Sequence, residues 1–113
     1  EAYARVYDEK LPQRIGRASR TDGSHHAWAL YTVTSDQRDH IQRELKSAKV
    51  ASAVYYDRPV HLHPAYRRFG GGHGSLPNSE GLAAQVLSLP LSAEMGPEDV
   101  DRVIENVGAA VSR

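Results

Sequence analysis

Between Tyr55 and Tyr66 the chain reads YYDRPVHLHPAY, which collects three tyrosines, two histidines, two prolines, an aspartate and an arginine in twelve residues. Tyr55 and Tyr56 offer phenols suited to hydroxyls, phosphates or the face of a sugar ring, since each ring joins an apolar body to a polar tip. His61 can donate or accept a proton near neutral pH. Arg58 precedes Pro59 and His63 precedes Pro64, so both are pushed toward extended backbone. The segment is therefore stiff at little entropic cost, and stiffness is what positioning side chains require. Tyr55, Tyr56 and His61 are the candidate binding residues. The competing reading is plain turn packing, in which aromatic rings cover prolines.

Other constellations are weaker. His61 and His63, at i and i+2, would share one side of an extended strand. His73, His25 and His26 lie elsewhere in the chain. A zinc site needs three or four converging ligands with partners that orient them, and no recurring helical spacing supplies them, so no metal is expected. No GxSxG frame brings serine and histidine together for nucleophilic catalysis. The glycines Gly70 to Gly72 lack the Lys-Ser/Thr of a phosphate-binding loop and read as a mobile loop. Lys10, Lys46 and Lys49 sit among charged neighbours, whereas a Schiff-base lysine needs a desolvated or specially tuned setting. No catalytic residue is assigned within the chain.

The elements that must position the YYDRPVHLHPAY segment come from a chain of 113 residues, 25% of them charged, with 14 basic and 14 acidic side chains and no cysteine. That length predicts one domain with a modest core. The balanced charge carries no basic stripe, which argues against nucleic acid and against polybasic membrane attachment. No apolar run approaches the roughly 20 residues of a membrane helix. Disulfides and thiolate metal sites are excluded.

In EAYARVYDEKL, Tyr3, Tyr7 and Leu11 form an apolar helical stripe with Val6 beside it. No capping residue precedes the stripe, and the helix either frays or continues from upstream sequence. PQRIGRASRTDGS reads as a polar loop. HAWALYTV reads as a strand, with Trp28, Leu30 and Thr32 on one face and Ala29, Tyr31 and Val33 on the other. Thr34 and Gln37 have capping-box spacing. The helix they would open turns Ile41 and Leu45 inward, and Arg38, Gln42, Arg43 and Lys46 outward. VASAVYY reads as a second strand, with Val54 and Tyr56 on one face and Tyr55 on the other. Asn78 or Ser79 would cap a short helix with Leu82 and Val86 four apart. LSLPL is a third strand stopped by Pro90. Pro97, Glu98 and Asp99 open a final helix striped by Val100, Val103, Ile104, Val107 and Val111. The expected fold class is α+β: a small sheet with helices packed on one side.

These segments, taken together, resemble the sugar aminotransferases of the DegT/DnrJ/EryC1/StrS family. YYDRPVHLHPAY is similar to the family segment HYPxPLHxQPAY. HAWALYTV through RDHIQRELKSAKVASAVYY resembles its strand, its RD…L helix and its next strand. LPNSEGLAAQVLSLPLSAEMGPEDVDRVIENV resembles its closing region, and YARVYDEKL fits the helix that leads in.

The resemblance implies the C-terminal small domain of a fold-type-I transferase dependent on pyridoxal phosphate. Residues 1–113 would form that single domain, and residues 1–11 its lead-in helix from a large cofactor domain. Such enzymes move an amino group from glutamate to a keto group on a nucleotide-linked sugar. The resemblance implies a cytoplasmic homodimer whose large domain holds both the cofactor and its lysine, so this fragment alone would be inactive. It implies a substrate-binding role for Tyr55 and Tyr56, and a lesser one for His61. Tyr55 replaces the commoner histidine, Asp57 the proline and His63 the glutamine, which puts any proton transfer at position 55 in doubt. Lys49 stands where relatives usually end the helix with glycine. The rival expectation is a non-catalytic module, or a regulator, that uses this fold to bind a ligand or a protein.

Overall fold

The structure, a computed structural model, describes residues 2–19, 22–24, 27–28, 30–92 and 94–111. His25 and His26, together with Ala29 of the predicted first strand, lie outside the described residues.

The stripe Tyr3-Tyr7-Leu11 becomes helix α1 (Ala2–Lys10), which buries Ala4 and Tyr7 completely, and Leu11 follows into the core. The predicted polar loop then holds a short strand, β1 (Gly16–Arg17), preceded by a buried Ile15. Gly16 pairs with Thr34 of strand β2 (Tyr31–Thr34). A Cβ at Gly16 would meet the Thr34 hydroxyl at 2.1 Å, so only glycine permits this close approach. Two residues carry too little periodicity to announce a strand, which is why the sequence read as loop there.

Strand β2 is shorter than HAWALYTV predicts. Trp28 has φ 56, a left-handed conformation that no strand accommodates, and its ring stacks on Tyr31 with centroids 5.4 Å apart. From Tyr31 onward the alternation holds: Tyr31 and Val33 are buried, while Thr32 and Thr34 are half-buried.

Helix α2 (Arg38–Ser47) buries Ile41 and Leu45 as expected. Thr34 does not cap it. The Ser35 hydroxyl instead accepts the Gln37 N–H at 3.0 Å. Its end is a Schellman turn, with Val50 N–H donating to Leu45 O at 2.8 Å and Lys49 N–H to Lys46 O at 3.0 Å. Lys49 takes φ 63, the left-handed residue that this turn demands.

VASAVYY does not form a second strand. Only Ala53 reaches the sheet, exchanging two hydrogen bonds with Ser88 at 2.7 and 3.1 Å. Val54 then packs against the core while Tyr56 is exposed, so the two do not share a face. Short tight turns at Val60–Leu62 and Arg67–Phe69 carry the chain onward.

Helix α3 (Pro77–Gln85) begins with proline in its first turn. Neither Asn78 nor Ser79 caps it: the first-turn Glu80 carboxylate accepts the Leu76 N–H at 3.0 Å. Strand β3 (Val86–Leu89) starts earlier than predicted, so Val86 is sheet and Leu82 is exposed on the helix. Helix α4 (Pro97–Val111) matches its prediction and buries Val100, Val103, Val107 and Val111.

The sheet order is β1-β2-β3, antiparallel throughout. Tyr31, Val33, Leu87 and Leu89 share one core with side chains of α1, α2 and α4, which places these helices over one face. Each buried aliphatic or aromatic side chain there contributes roughly 1.5–3 kcal/mol. On the opposite face the Thr32 and Ser88 hydroxyls bond each other at 2.9 Å. The architecture is the expected α+β layer.

Candidate functional site

Exposed apolar side chains converge on one place. Tyr55 is 47% exposed, Tyr56 73% and Phe69 74%, and Val60, Tyr66, Leu76 and Leu82 are each about half exposed or more. All seven line a single groove of about 660 Å³. A folded domain leaves such a patch open mainly where something binds. One wall is the bend from Tyr55 to Gly70, and the other is the start and outer face of α3 with Leu76, Ser79 and Leu82.

The bend takes the extended backbone that its prolines predicted. His63, before Pro64, sits at φ −72, ψ 133, and Pro59 at φ −68, ψ 153. The Tyr55 and Tyr56 rings meet edge to face at 5.5 Å, and the peptide between them is cis. His61 and His63 do not point to one side. Their segment is a tight turn rather than a strand, so His61 is buried, whereas His63 is exposed and packs edge-on to Tyr66.

His61 and Glu80 join the two walls. His61 Nε2 lies 3.1 Å from Glu80 Oε2, and the same carboxylate accepts the Gly74 N–H at 2.7 Å and the Leu76 N–H at 3.0 Å. His73 Nε2 lies 3.6 Å from the other oxygen. The Gly74 N–H does most to hold the Glu80 carboxyl down at about 2; Leu76, His61 and His73 add to it, against an opposing desolvation. An ionised carboxylate only accepts, so the proton between the two side chains resides on His61 Nε2.

Arg38 fixes the far end of α3. Expected outward, it is buried, and its Nη1 donates to Ala83 O at 3.0 Å and Val86 O at 2.9 Å. Those carbonyls close α3 and enter β3, so the guanidinium caps the helix end. Asp39 accepts from Arg38 Nε at 2.7 Å and keeps the charge paired.

Beside the groove, and sharing Arg58, Pro59 and Gly70 with it, lies a more polar cleft that adds Asp57, Arg67, His73 and the backbone of Gly71 and Gly72. Arg58 and Arg67 give it cationic character suited to anions. Lys10, Lys46 and Lys49 are exposed, and none lines either depression.

The family model described as the DegT/DnrJ/EryC1/StrS aminotransferase family matches residues 1–108. The chain belongs to that family. Among solved structures, that of Streptomyces venezuelae DesV in complex with a ketimine intermediate superposes with a TM-score of 0.93 at 33% identity, covering 99% of this chain and 31% of that one. A dTDP-3-amino-3,4,6-trideoxy-alpha-D-glucose transaminase of S. venezuelae is 39% identical over 80 residues, which is 71% of this chain and 21% of the relative. A pleiotropic regulatory protein of Geobacillus stearothermophilus is 33% identical over 105 residues, 93% of this chain and 28% of the relative. The chain thus spans less than a third of the length of each of these relatives.

The turn at position 49 is left-handed, and lysine occupies it at a conformation that costs a side-chain-bearing residue. Glu80 and Arg38 were not singled out from the sequence. The Arg38-Asp39 pair lay inside the recognised RD…L helix, but a helical pattern assigned it to solvent. Glu80 carried no local signal, because its partners lie 4 to 19 residues away in turns.

Proposed function

We propose that this chain is the C-terminal, substrate-side domain of an aminotransferase dependent on pyridoxal phosphate, which moves an amino group from glutamate to a nucleotide-linked keto sugar. The observation that carries the proposal is the open, aromatic groove rimmed by Tyr55 and Tyr56 in a member of a sugar-aminotransferase family. Aromatic rings at its rim can stack on a base or sugar ring, an interaction worth about 1–3 kcal/mol per base. The neighbouring Arg58 and Arg67 suit a diphosphate.

The residues described do not fit the cofactor itself. A Schiff-base lysine must sit in a tuned, desolvated place, and the three lysines here are exposed and do not line the groove. We therefore assign cofactor binding, and all chemistry on the cofactor, to a large domain outside this chain. The role left to this chain is to bind and orient the sugar nucleotide, with the whole enzyme acting as a homodimer.

Tyr56→Phe in the full-length enzyme tests this reading. Removing one hydroxyl contact should lower kcat/KM for the sugar nucleotide about tenfold, the worth of a net hydrogen bond. The glutamate half-reaction, followed by the cofactor's absorbance, should be unchanged. Equal losses in both half-reactions would mean that Tyr56 is structural.

The similarity to a pleiotropic regulatory protein supports a second reading, a non-catalytic binding module. A full-length protein that shows no absorbance change with glutamate, yet still retains a ligand in the groove, would favour it.

A further inference from the structure

Glu80 joins the two walls of the groove side chain to side chain, through His61. Its carboxylate collects four groups from three segments: His61 of the bend, His73 and Gly74 of the glycine-rich loop, and Leu76 at the head of α3. His61 is held from behind as well. A Cβ on Gly70 would stand 3.0 Å from His61 Cβ and 3.5 Å from His61 O, so the chain passes directly against that ring's base. The imidazole is wedged between Gly70 and Glu80, and it lines the groove a few residues from Tyr55 and Tyr56.

We propose that Glu80 is a positioning residue for the groove: by clasping His61 and the 73–76 loop together, it sets the separation of the walls and the placement of the tyrosine pair. This inference rests on the sugar-nucleotide reading for its consequence in turnover, but the clasp itself rests on geometry alone.

The chemistry makes a carboxylate necessary. Three N–H groups point at Glu80: Gly74 N, Leu76 N and His61 Nε2. A carboxylate accepts all of them on two oxygens. The amide of Glu80→Gln has the same shape but turns one acceptor into two donors, so at least one N–H is left facing another. With the amide oxygen in the place of Oε2 it is Gly74 that loses its acceptor, and in the place of Oε1 it is Leu76 and His61; either way the clasp opens on one side without any loss of core packing.

The test uses the full-length enzyme carrying Glu80→Gln, read in three ways. KM for the sugar nucleotide should rise about tenfold, with kcat changed less than about twofold and the glutamate half-reaction unaltered. Among the NMR signals of the His61 ring nitrogens and of the Gly74 and Leu76 amides, at least one should move away from its carboxylate-bonded position. In a His61→Ala background, Glu80→Gln should raise KM less than it does alone, because the two side chains act as one unit.

Gly70→Ala provides a second perturbation, from the opposite side of His61, and should raise the same KM. The clasp is overturned if Glu80→Gln leaves the His61, Gly74 and Leu76 signals and the sugar-nucleotide KM all unchanged. It is also overturned if both half-reactions fall equally with a lowered Tm, which marks a general structural role. Should the wild-type enzyme turn over no sugar nucleotide, the functional reading falls alone. The His61 ring and the Gly74 and Leu76 amide signals then decide the clasp by themselves, all unchanged refuting it and any one shifted upholding it.

Discussion

The six tyrosines of the chain divide into two sets that do opposite things. Tyr3, Tyr7 and Tyr31 work inside the fold, each donating its hydroxyl to a specific acceptor. Tyr3 reaches Met95 O at 2.6 Å, Tyr7 reaches Pro90 O at 2.7 Å, and Tyr31 reaches Asp8 Oδ1 at 2.5 Å. The first two bonds tie α1 to the segment between β3 and α4, and Tyr7 and Tyr31 pack with centroids 4.8 Å apart. Burial pushes the Tyr7 phenol up to about 12, so its hydroxyl stays a donor over the ordinary pH range. Tyr55, Tyr56 and Tyr66 are exposed and line the groove.

The difference teaches that one residue type serves as core or as recognition surface according to whether a polar tip finds a fixed partner. A buried tyrosine needs such a partner, because an unmatched hydroxyl in the interior is costly. An exposed one keeps its tip free for a ligand.

The contrast is sharpest in Tyr7→Ala, which should cost about 3–5 kcal/mol by denaturant unfolding, while Tyr56→Ala should stay within about 0.5 kcal/mol. Similar costs at the two positions would erase the division between the sets.

Arg38→Met comes next. It keeps the aliphatic stem but leaves Ala83 O and Val86 O without their donor, for a loss of about 1–3 kcal/mol. Amide exchange should rise most at the α3–β3 junction. A loss spread evenly over α4 would show that the arginine supports the core and not the groove wall.

Lys49→Gly should act in the other direction, raising stability by about 0.5–1 kcal/mol, since glycine adopts φ 63 without the penalty lysine carries. An unchanged denaturation midpoint would show that the turn is not strained.

The smallest effect is local. The Glu80 carboxyl is lowered from 4.5 to about 2 in the folded chain, so its stabilisation is present above 4.5 and is lost as pH falls from there through about 2. Glu80 lies in the α3 wall of the groove and outside the hydrophobic core cluster, so the global transition should change little. Amide exchange at Gly74 and Leu76 should accelerate over that window before the core amides respond. Simultaneous acceleration everywhere would mean that the clasp is not a separate unit.

Much of the fold was legible in the chain because long periodic stripes leave few alternatives. Tyr3-Tyr7-Leu11, Ile41-Leu45 and Val100-Val103-Val107-Val111 each report an apolar helical face within one segment. Pro90 marked the end of β3, and the YYDRPVHLHPAY segment announced stiffness through its prolines. The short or mixed elements were misread. β1 has two residues, VASAVYY touches the sheet at one point, and Leu82 and Val86 fall in different elements despite helical spacing.

By itself, then, the amino-acid sequence determined the apolar stripes and the stiff aromatic bend, because propensity and side-chain period act over a few neighbouring residues. Tertiary structure alone decided that Arg38 turns inward, that Glu80 clasps His61, and that seven exposed apolar side chains face one groove. Those outcomes depend on hydrogen bonds and packing between segments as many as 48 residues apart, for which no local pattern exists.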